Sequence, residues 1–264
     1  MASVAEIRDA LEREVPVYMK LDFDNVGMLA GFCGTEVLRV LVALDITDAV
    51  IEEGAALGAQ LIVSHHPLIF EPLKRVTDDD IKGRKVIRLI QNGMSAICMH
   101  TNLDAAEGGV NDCLMAALGA RVTGLLSPHG THPDGQPYGI SRVGELPAPA
   151  EFDDFLLRTK QRLHTAGLRY VFGGKPVQRI ACCGGAGGSD MRKAAEAGCD
   201  TYVTADLKYD HFLDAKDLGL NLIDADHFCT ENVVVPRLKQ LISDTFPTLE
   251  VLISKVHGQT ICFC

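Results

Sequence analysis

The chain has 264 residues, and 47 % of them are hydrophobic, which is enough for a sizeable core and excludes a mainly disordered protein. Its formal net charge of −10 argues against non-specific binding to nucleic acid or to anionic membranes. No apolar run reaches the roughly 18 residues that a membrane-spanning helix needs. The N-terminus lacks the basic start and apolar stretch of a signal peptide, so we expect a cytoplasmic protein without a membrane partner.

The cysteines favour a reducing compartment. There are nine of them, an odd number, and none are spaced as Cys-x-x-Cys. A chain of this length does not need disulfide bonds for stability, so we expect reduced thiols, mostly buried, and no zinc ribbon.

The first part of the chain predicts alternating strands and helices. The apolar run 38–44 is typical of a strand that is buried on both faces. Thr47 is expected to cap a helix that ends near Gly58, and 61–63 and 94–99 predict the next strands. This alternation favours a mainly parallel sheet covered by helices.

The segment 127–150 is rich in Pro and Gly and predicts a linker between two domains. We therefore place a first α/β domain at residues 1–127 plus about 233–264, and a second at 128–232. The last part of the chain predicts an amphipathic helix over 233–241 and a closing strand over 249–253.

The second domain repeats the predicted alternation of strands and helices of the first. Strands are predicted at 177–183, 201–203 and 220–223, with Ser189 capping a helix over 190–197. Gly58 precedes Ser64 by six residues, as Gly198 precedes Thr204. The spacing is compatible with an internal duplication and equally with coincidence.

Two adjacent histidines follow a predicted buried strand. His65 and His66 would lie at the carboxyl end of that strand, where open α/β sheets bind their ligands. Side chains of consecutive extended residues diverge, so the two imidazoles could serve two neighbouring metal ions. The alternative is a pair of partly exposed loop histidines.

Two carboxylates strengthen the metal hypothesis. Asp104 lies four residues after His100, Glu231 lies four residues after His227, and both pairs follow a predicted strand. A carboxylate can bridge two divalent cations and offset their mutual repulsion. A mixed set of imidazoles and carboxylates suits zinc, manganese or iron better than calcium or magnesium. The alternatives are a turn cap for Asp104 and a first-turn carboxylate on the helix dipole for Glu231.

Other motifs favour structural roles. The turn Gly184–Gly188 could cradle a phosphate, but a tight turn is the simpler interpretation. His129 and His132 have metal-like spacing within the predicted linker, where we expect a solvated loop. His211 could face the metal site or begin a surface helix. We interpret His100, with Asn102, as a residue that orients a ligand or a bound water.

The chain resembles the Nif-three-like dinuclear metal-centre family, often labelled GTP cyclohydrolase 1 type 2 homologue. Six ordered blocks carry this resemblance, and they extend over nearly the whole chain: 24–27 (DNVG), 64–70 (SHHPLIF), 100–106 (HTNLDAA) with 108–112 (GGVND), 184–189 (GGAGGS), 206–209 (DLKY) and 227–231 (HFCTE).

The resemblance implies a pair of divalent metal ions in each subunit. The family's ligands fall on five residues of this sequence: His65, His66, Asp104, His227 and Glu231. It also implies two interleaved, duplicated α/β domains with mainly parallel or mixed sheets. The subunits are expected to form a toroidal homohexamer whose metal sites face an internal cavity.

The resulting hypothesis is a metal-dependent hydrolase that acts on a small molecule, either a cyclic amidine or a phosphoester. Asp104 would bridge the metals, and His100 would assist catalysis from beside them. The alternative is a metal-binding adaptor or assembly protein without catalysis. Nucleic acid is not expected as a partner.

Overall fold

The structure is a computed structural model that describes residues 2–264. The strands are β1 (Ala2–Ser3), β2 (Gly27–Ala30), β3 (Glu36–Val37), β4 (Arg39–Ala43), β5 (Leu61–Ser64), β6 (Ser95–Cys98), β7 (Arg121–Leu125), β8 (Pro128–Thr131), β9 (Pro137–Gly139), β10 (Arg142–Ala150), β11 (Arg169–Val171), β12 (Val177–Cys182), β13 (Thr201–Thr204), β14 (Asn221–Asp224) and β15 (Glu250–Ile253). The helices are α1 (Val4–Glu14), α2 (Asp48–Leu57), α3 (Ile81–Gln91), α4 (Thr101–Ala105), α5 (Val110–Leu118), α6 (Phe152–Arg162), α7 (Met191–Glu196), α8 (Tyr209–Leu218), α9 (His227–Glu231) and α10 (Val235–Thr245).

The chain divides into two compact units. Unit 1 extends to Leu103 and also contains Val235–Gly258, whereas unit 2 contains Asp104–Val234 and Gln259–Cys264. Each unit has its own mixed sheet, so the predicted α/β class is confirmed. None of the helices within residues 2–264 has both the length and the apolar composition that a bilayer crossing requires.

Unit 1 contains a five-stranded sheet in the order β15-β4-β5-β6-β2. The first four strands run parallel, and β2 pairs antiparallel with β6 at one edge. Thr47 caps α2 by accepting a hydrogen bond from the Val50 N–H, and Gly58 ends the helix in the left-handed conformation, as predicted. Leu41 and Ile62 are fully buried in the core of this unit.

Unit 2 contains a six-stranded sheet in the order β11-β14-β13-β12-β10-β7. β12, β13 and β14 run parallel, and the other three strands pair antiparallel with their neighbours. Helix α7 begins at Met191, after a 3₁₀ turn over Gly188–Asp190. The expectation that Ser189 caps this helix is therefore wrong, because the residue lies inside the turn.

The predicted linker over 127–150 is wrong. Its first part is the hairpin β8–β9, and its second part is β10, which lies between β7 and β12 in the sheet. Val143 is buried at 4 % exposure, whereas Pro147 and Pro149 follow Glu145, where the regular pairing with β12 is interrupted. Prolines are tolerated where a ladder hydrogen bond is not needed.

The units are divided at 103/104, 234/235 and 258/259, whereas the predicted divisions are at 127/128 and about 232/233. The first difference has a physical reason. Helix α5 and strand β7 pack against β10, so the chain before residue 128 already belongs to the second unit. The Pro/Gly content of 127–150 therefore marks turns and a bulged strand and not a domain boundary.

Candidate metal centre

Three histidines of unit 1 lie at the carboxyl ends of adjacent parallel strands. His65 and His66 directly follow β5, and His100 follows β6 by two residues. One ligand atom of each ring lies within 4.8 Å of the others. The ring centroid of His65 lies 5.0 Å from that of His66 and 5.2 Å from that of His100. The strand register therefore gathers these imidazoles without a long loop.

The Nδ1 atom of each imidazole is held by an acceptor. It lies 2.8 Å from the Met99 carbonyl oxygen in His65 and 2.7 Å from Asp45 Oδ1 in His66. In His100 it lies 2.8 Å from Asp24 Oδ1. An Nδ1–H that donates to a carbonyl or carboxylate leaves the lone pair of a neutral ring on Nε2, as in histidines that bind metals.

Asp24 is a buried support for His100. Burial disfavours its charged form, but hydrogen bonds from His100 and Thr101 outweigh this and hold the pKa of Asp24 well below its usual range. The Thr101 N–H donates to Oδ2 at 3.0 Å. Asp24 is therefore an ionised acceptor at neutral pH, which fixes the proton of His100 on Nδ1.

Three of the five predicted metal ligands, two carboxylates and one imidazole, lie in unit 2. Asp104 lies in α4, and His227 and Glu231 lie at opposite ends of the single helical turn α9. A carboxylate oxygen of Asp104 and one of Glu231 lie within 4.8 Å of each other. His227 Nε2 lies 3.1 Å from Glu231 Oε2, and its Nδ1 lies 2.7 Å from Asp206 Oδ2.

Protonation of His227 is favoured in this arrangement. Burial lowers its pKa, but Glu231 and Asp206 outweigh burial and raise the pKa of His227 to about 9. A metal ion at Nε2 would compete with that proton, as is general for imidazole ligands. The carboxylates that stabilise the imidazolium would also stabilise a cation in its place.

Two aspartates that contact His227 or cap its helix adopt left-handed backbone conformations. Asp206 has φ +54° and Asp226 has φ +75°, and each follows a parallel strand by two residues. Asp226 accepts a hydrogen bond from the Cys229 N–H and so caps the helix that begins with His227. Non-glycine residues in this region are uncommon and cluster at functional sites.

The glycine-rich turn after β12 forms a surface for Glu231. Gly185 has φ +61°, and a Cβ atom there would lie 2.2 Å from Glu231 Oε1. At Gly184 a Cβ atom would lie 3.2 Å from Glu231 Cγ. Side chains at these two positions would displace the carboxylate.

The phosphate-cradle interpretation of this turn is wrong for the N–H groups whose partners are known. The Gly184 N–H donates to Asn111 Oδ1 at 2.8 Å, and the Gly185 N–H donates to Thr230 Oγ1 at 3.0 Å. The Gly187 N–H donates to Thr204 Oγ1 at 2.9 Å. Because internal side chains use these donors, the turn is structural.

Asn111 connects the backbone of Asp104 to the glycine-rich turn that lies against Glu231. It is fully buried, and its Nδ2 donates to the Asp104 carbonyl oxygen at 3.2 Å while its Oδ1 accepts from Gly184. Sequence reasoning gave no role to this residue or to the supporting aspartates 24, 45 and 206. The available signal was position, because Asp45 follows β4 by two residues and Asp206 follows β13 by two.

Five of the nine histidines lie outside these clusters, and the sequence pattern singles out three of them: His129, His132 and His211. His129 and His132 contact the ring of Tyr138 in the hairpin, with centroids 5.1 Å and 4.9 Å away. His211 accepts a hydrogen bond from the Lys208 N–H at 3.1 Å and stabilises the start of α8. The expected solvated loop is wrong for His129, which lies in strand β8, whereas the contact of His211 agrees with the start of a surface helix.

The thiols offer no activated nucleophile among the buried cysteines. Five of the nine cysteines are buried. Burial raises the pKa of the Cys183 thiol to about 12 and that of Cys199 to about 11. Such thiols stay protonated at neutral pH and are inert.

The fold and these clusters define an α/β protein whose histidines and carboxylates could hold a metal. The chain belongs to the Duf34/NIF3 (NGG1p interacting factor 3) family, whose model matches residues 2–259. The family resemblance in the sequence is thereby confirmed.

Curated relatives and solved structures agree with this assignment. A Clostridium perfringens protein named GTP cyclohydrolase 1 type 2 homolog is 33 % identical over 252 residues, which is 95 % of each chain. A Streptomyces coelicolor protein of the same name is 35 % identical and aligns with 88 % of this chain and 82 % of its own. A Bacillus cereus protein related to NIF3 superposes with a TM-score of 0.93 at 25 % identity, covering 100 % of this chain and 99 % of its own. A hypothetical protein from Staphylococcus aureus superposes with a TM-score of 0.92 at 29 % identity, covering 99 % of this chain and 99 % of its own.

Proposed function

We propose that this protein is a metal-dependent hydrolase with a dinuclear centre. The two divalent metal ions, zinc, manganese or iron, would be held by His65, His66, Asp104, His227 and Glu231, with Asp104 as the bridging ligand. The observation that carries the proposal is the support of the imidazoles: Nδ1 of each of the three ligand histidines lies 2.7–2.8 Å from an oxygen acceptor. This is the arrangement by which proteins orient Nε2 towards a metal.

The donor set fits the metals proposed. Imidazole nitrogens and carboxylate oxygens together suit first-row transition metals, and the two carboxylates supply negative charge against a pair of dications. A pair of divalent cations supplies Lewis-acid chemistry when bound: it polarises a carbonyl or phosphoryl oxygen and lowers the pKa of water.

Residues of the chain itself would transfer the proton from the attacking water to the leaving group. Ionised Asp24 fixes the proton of His100 on Nδ1, which leaves Nε2 to accept a proton from an attacking water and return it to a leaving group. The lowered pKa of Asp24 means that this orientation persists at neutral and mildly acidic pH. The substrate would be a cyclic amidine, for which the relatives' name gives support, or a phosphoester.

Metal content is the experiment that tests the proposal. We expect about two equivalents of a transition metal per chain in untagged protein purified without chelator. In the Asp104→Ala variant we expect a lower metal content and loss of metal-dependent turnover. Turnover of cyclic amidines and phosphoesters would be compared before and after removal and restoration of the metal.

Each outcome has a consequence. Protein that neither carries nor takes up metal would contradict the dinuclear centre. Metal-loaded protein that hydrolyses nothing in such a panel, and that loses stability when the metal is removed, would favour a non-catalytic adaptor or assembly protein. Unchanged turnover in Asp104→Ala would contradict the role of Asp104.

The toroidal homohexamer remains a prediction of the family resemblance. Light scattering of the purified chain would test it, with an expected mass six times the 28.5 kDa of one chain.

A further inference from the structure

Two exposed phenylalanines lie beside the histidine cluster of unit 1. The side chain of Phe23 is 68 % exposed, and that of Phe70 is 38 % exposed. The two ring centroids lie 6.2 Å apart with the planes at 74°. The Phe70 ring in turn meets His100 edge to face, with centroids 6.0 Å apart. A continuous series of rings therefore runs from the solvent to the candidate site.

The backbone that carries these rings is held in place. The Leu21 N–H donates to Thr101 Oγ1 at 3.0 Å, and the Asp24 N–H donates to the Leu21 carbonyl oxygen at 3.0 Å. Asn25 Nδ2 donates to the carbonyl oxygen of Ile69, the residue before Phe70, at 2.6 Å. Asn25 thus connects the segment of Phe23 directly to that of Phe70.

Fold stability does not explain this arrangement. An apolar side chain stabilises a fold by leaving water, and Phe23 stays mostly in water while its backbone is ordered. Single exposed apolar side chains are common on protein surfaces. Two exposed aromatic rings in mutual contact, tied by one amide and continuous with a site histidine, are a more specific feature.

We propose that Phe23 and Phe70 form a stacking platform for a planar heteroaromatic ring in the substrate. The inference rests on the proposed function, because it places the ring next to the site where hydrolysis would occur. A ring of this kind stacks well on phenylalanine, and such contacts are tolerant of the ring's substituents. The platform would select the substrate class, and the centre beside it would perform the reaction.

The size of the patch favours a small ligand over a second protein. A stable protein interface buries about 800 Å² on each partner and needs about 20–30 residues on a side. The two phenyl rings, with centroids 6.2 Å apart, are far too few side chains for such an interface and are enough to contact one planar ring system.

The absence of tryptophan from the chain permits a direct test. The Phe23→Trp variant keeps an aromatic ring and introduces a single fluorophore on the platform. We would load it with metal, measure its metal content, and titrate it with guanosine monophosphate, uridine monophosphate, ribose 5-phosphate and inorganic phosphate. Ribose 5-phosphate has the sugar and phosphate of the nucleotides without the ring.

The matched control is Phe32→Trp. Phe32 is also in unit 1 and is 54 % exposed, but within residues 2–264 its ring makes no aromatic contact. We expect saturable quenching by the nucleotides in Phe23→Trp, and none in Phe32→Trp. The additional substitution Phe70→Ala in Phe23→Trp should weaken nucleotide binding by about 5- to 150-fold, the range for loss of one stacking contact.

Several results would overturn the proposal. They are equal quenching by ribose 5-phosphate and nucleotides, equal responses in the two tryptophan variants, and no response to any nucleotide. Fluorescence of Phe23→Trp that depends on protein concentration alone, with a mass that falls in Phe23→Ala, would assign the platform to a contact between copies. A metal-free preparation would contradict the proposed function separately, since metal content is measured independently of quenching.

Discussion

Each unit contains three adjacent parallel strands, β4-β5-β6 in unit 1 and β12-β13-β14 in unit 2, but the residues at their carboxyl ends differ. The residue two positions after the second strand is His66 in unit 1 and Asp206 in unit 2. Two positions after the third strand the residues are His100 and Asp226. Imidazoles in unit 1 thus correspond to aspartates in unit 2, and both of those aspartates support His227 or its helix.

A metal centre needs both donor atoms that bind the ions and negative charge that offsets them, and the two units differ in which of these they supply. The candidate ligands of unit 1 are imidazoles, which are neutral when they bind a metal, whereas those of unit 2 include two carboxylates. In the proposed donor set, the negative charge that would offset two dications comes from unit 2. The same scaffold positions both sets, and only the side chains at equivalent places differ.

The largest expected effect is on metal content, and it compares the loss of a charged ligand with the loss of a neutral one. We expect Glu231→Gln to reduce the metal content from about two ions per chain to well below one, because it removes half of the carboxylate charge. His66→Gln removes a neutral donor, and we expect it to leave about one ion per chain. Elemental analysis of both variants beside the wild type measures the difference. Equal losses would mean that the two units do not differ in this way.

A smaller effect is expected at the turn that supports Glu231. Gly185→Ala would place a Cβ atom 2.2 Å from Glu231 Oε1 at φ +61°, whereas Gly198→Ala has φ +73° with nothing within 4 Å. Both variants suffer the left-handed penalty of about 1–2 kcal/mol. We expect Gly185→Ala to lose about 1–3 kcal/mol more in the free energy of unfolding, because the carboxylate must move.

Chemical denaturation and metal content would be measured on both glycine variants. Gly198→Ala should retain the wild-type metal content, and Gly185→Ala should not. If the two variants behaved alike, the close approach of the turn to Glu231 would have no consequence for the site.

Asn111 tests whether the surroundings of Asp104 and Glu231 are coupled. In Asn111→Asp the Nδ2 donor becomes an oxygen that repels the Asp104 carbonyl oxygen. We expect metal affinity to fall by about 10- to 100-fold, the usual cost of losing a contact behind a ligand. Competition with a chromophoric chelator measures this affinity.

The matched control is Asn221→Asp. Asn221 is also fully buried in unit 2, and its side chain donates to the Lys175 carbonyl oxygen and accepts from the Gly173 N–H, both at 2.9 Å. Both variants should lose thermal stability, but only Asn111→Asp should lose metal affinity. A similar affinity in the two variants would make Asn111 a purely structural residue.

Much of the scaffold could be predicted from local patterns. The apolar run at 38–44 and the Thr47 and Gly58 signals give β4 and α2 almost to the residue, since burial on both faces and helix capping leave direct marks in sequence. The segment 127–150 was misinterpreted because its prolines lie at a bulge, and turn residues alone do not distinguish a linker from a broken strand.

The site residues divide in the same way. The histidine pair directly follows β5, and the two carboxylates lie in the short helices α4 and α9 that come after β6 and β14, so spacing is sufficient to select them. Asp24 and Asn111 are missed because their partners, His100 and Gly184, lie 76 and 73 residues away in sequence. Contacts of that kind depend on tertiary packing, and no local period reveals them.

The smallest expected effect concerns His211, one of the histidines of unit 2 that lie outside the donor set. His211 accepts a hydrogen bond from the Lys208 N–H, and its ring packs so closely over Gly188 that a Cβ there would lie 2.5 Å from it. We expect His211→Ala to cost about 0.5–1 kcal/mol in the free energy of unfolding, as for loss of a helix-start contact, with no change in metal content. A fall in metal content would add a second imidazole to the donors of unit 2. The contrast between a neutral cluster and a carboxylate cluster would then be smaller than the strand ends indicate.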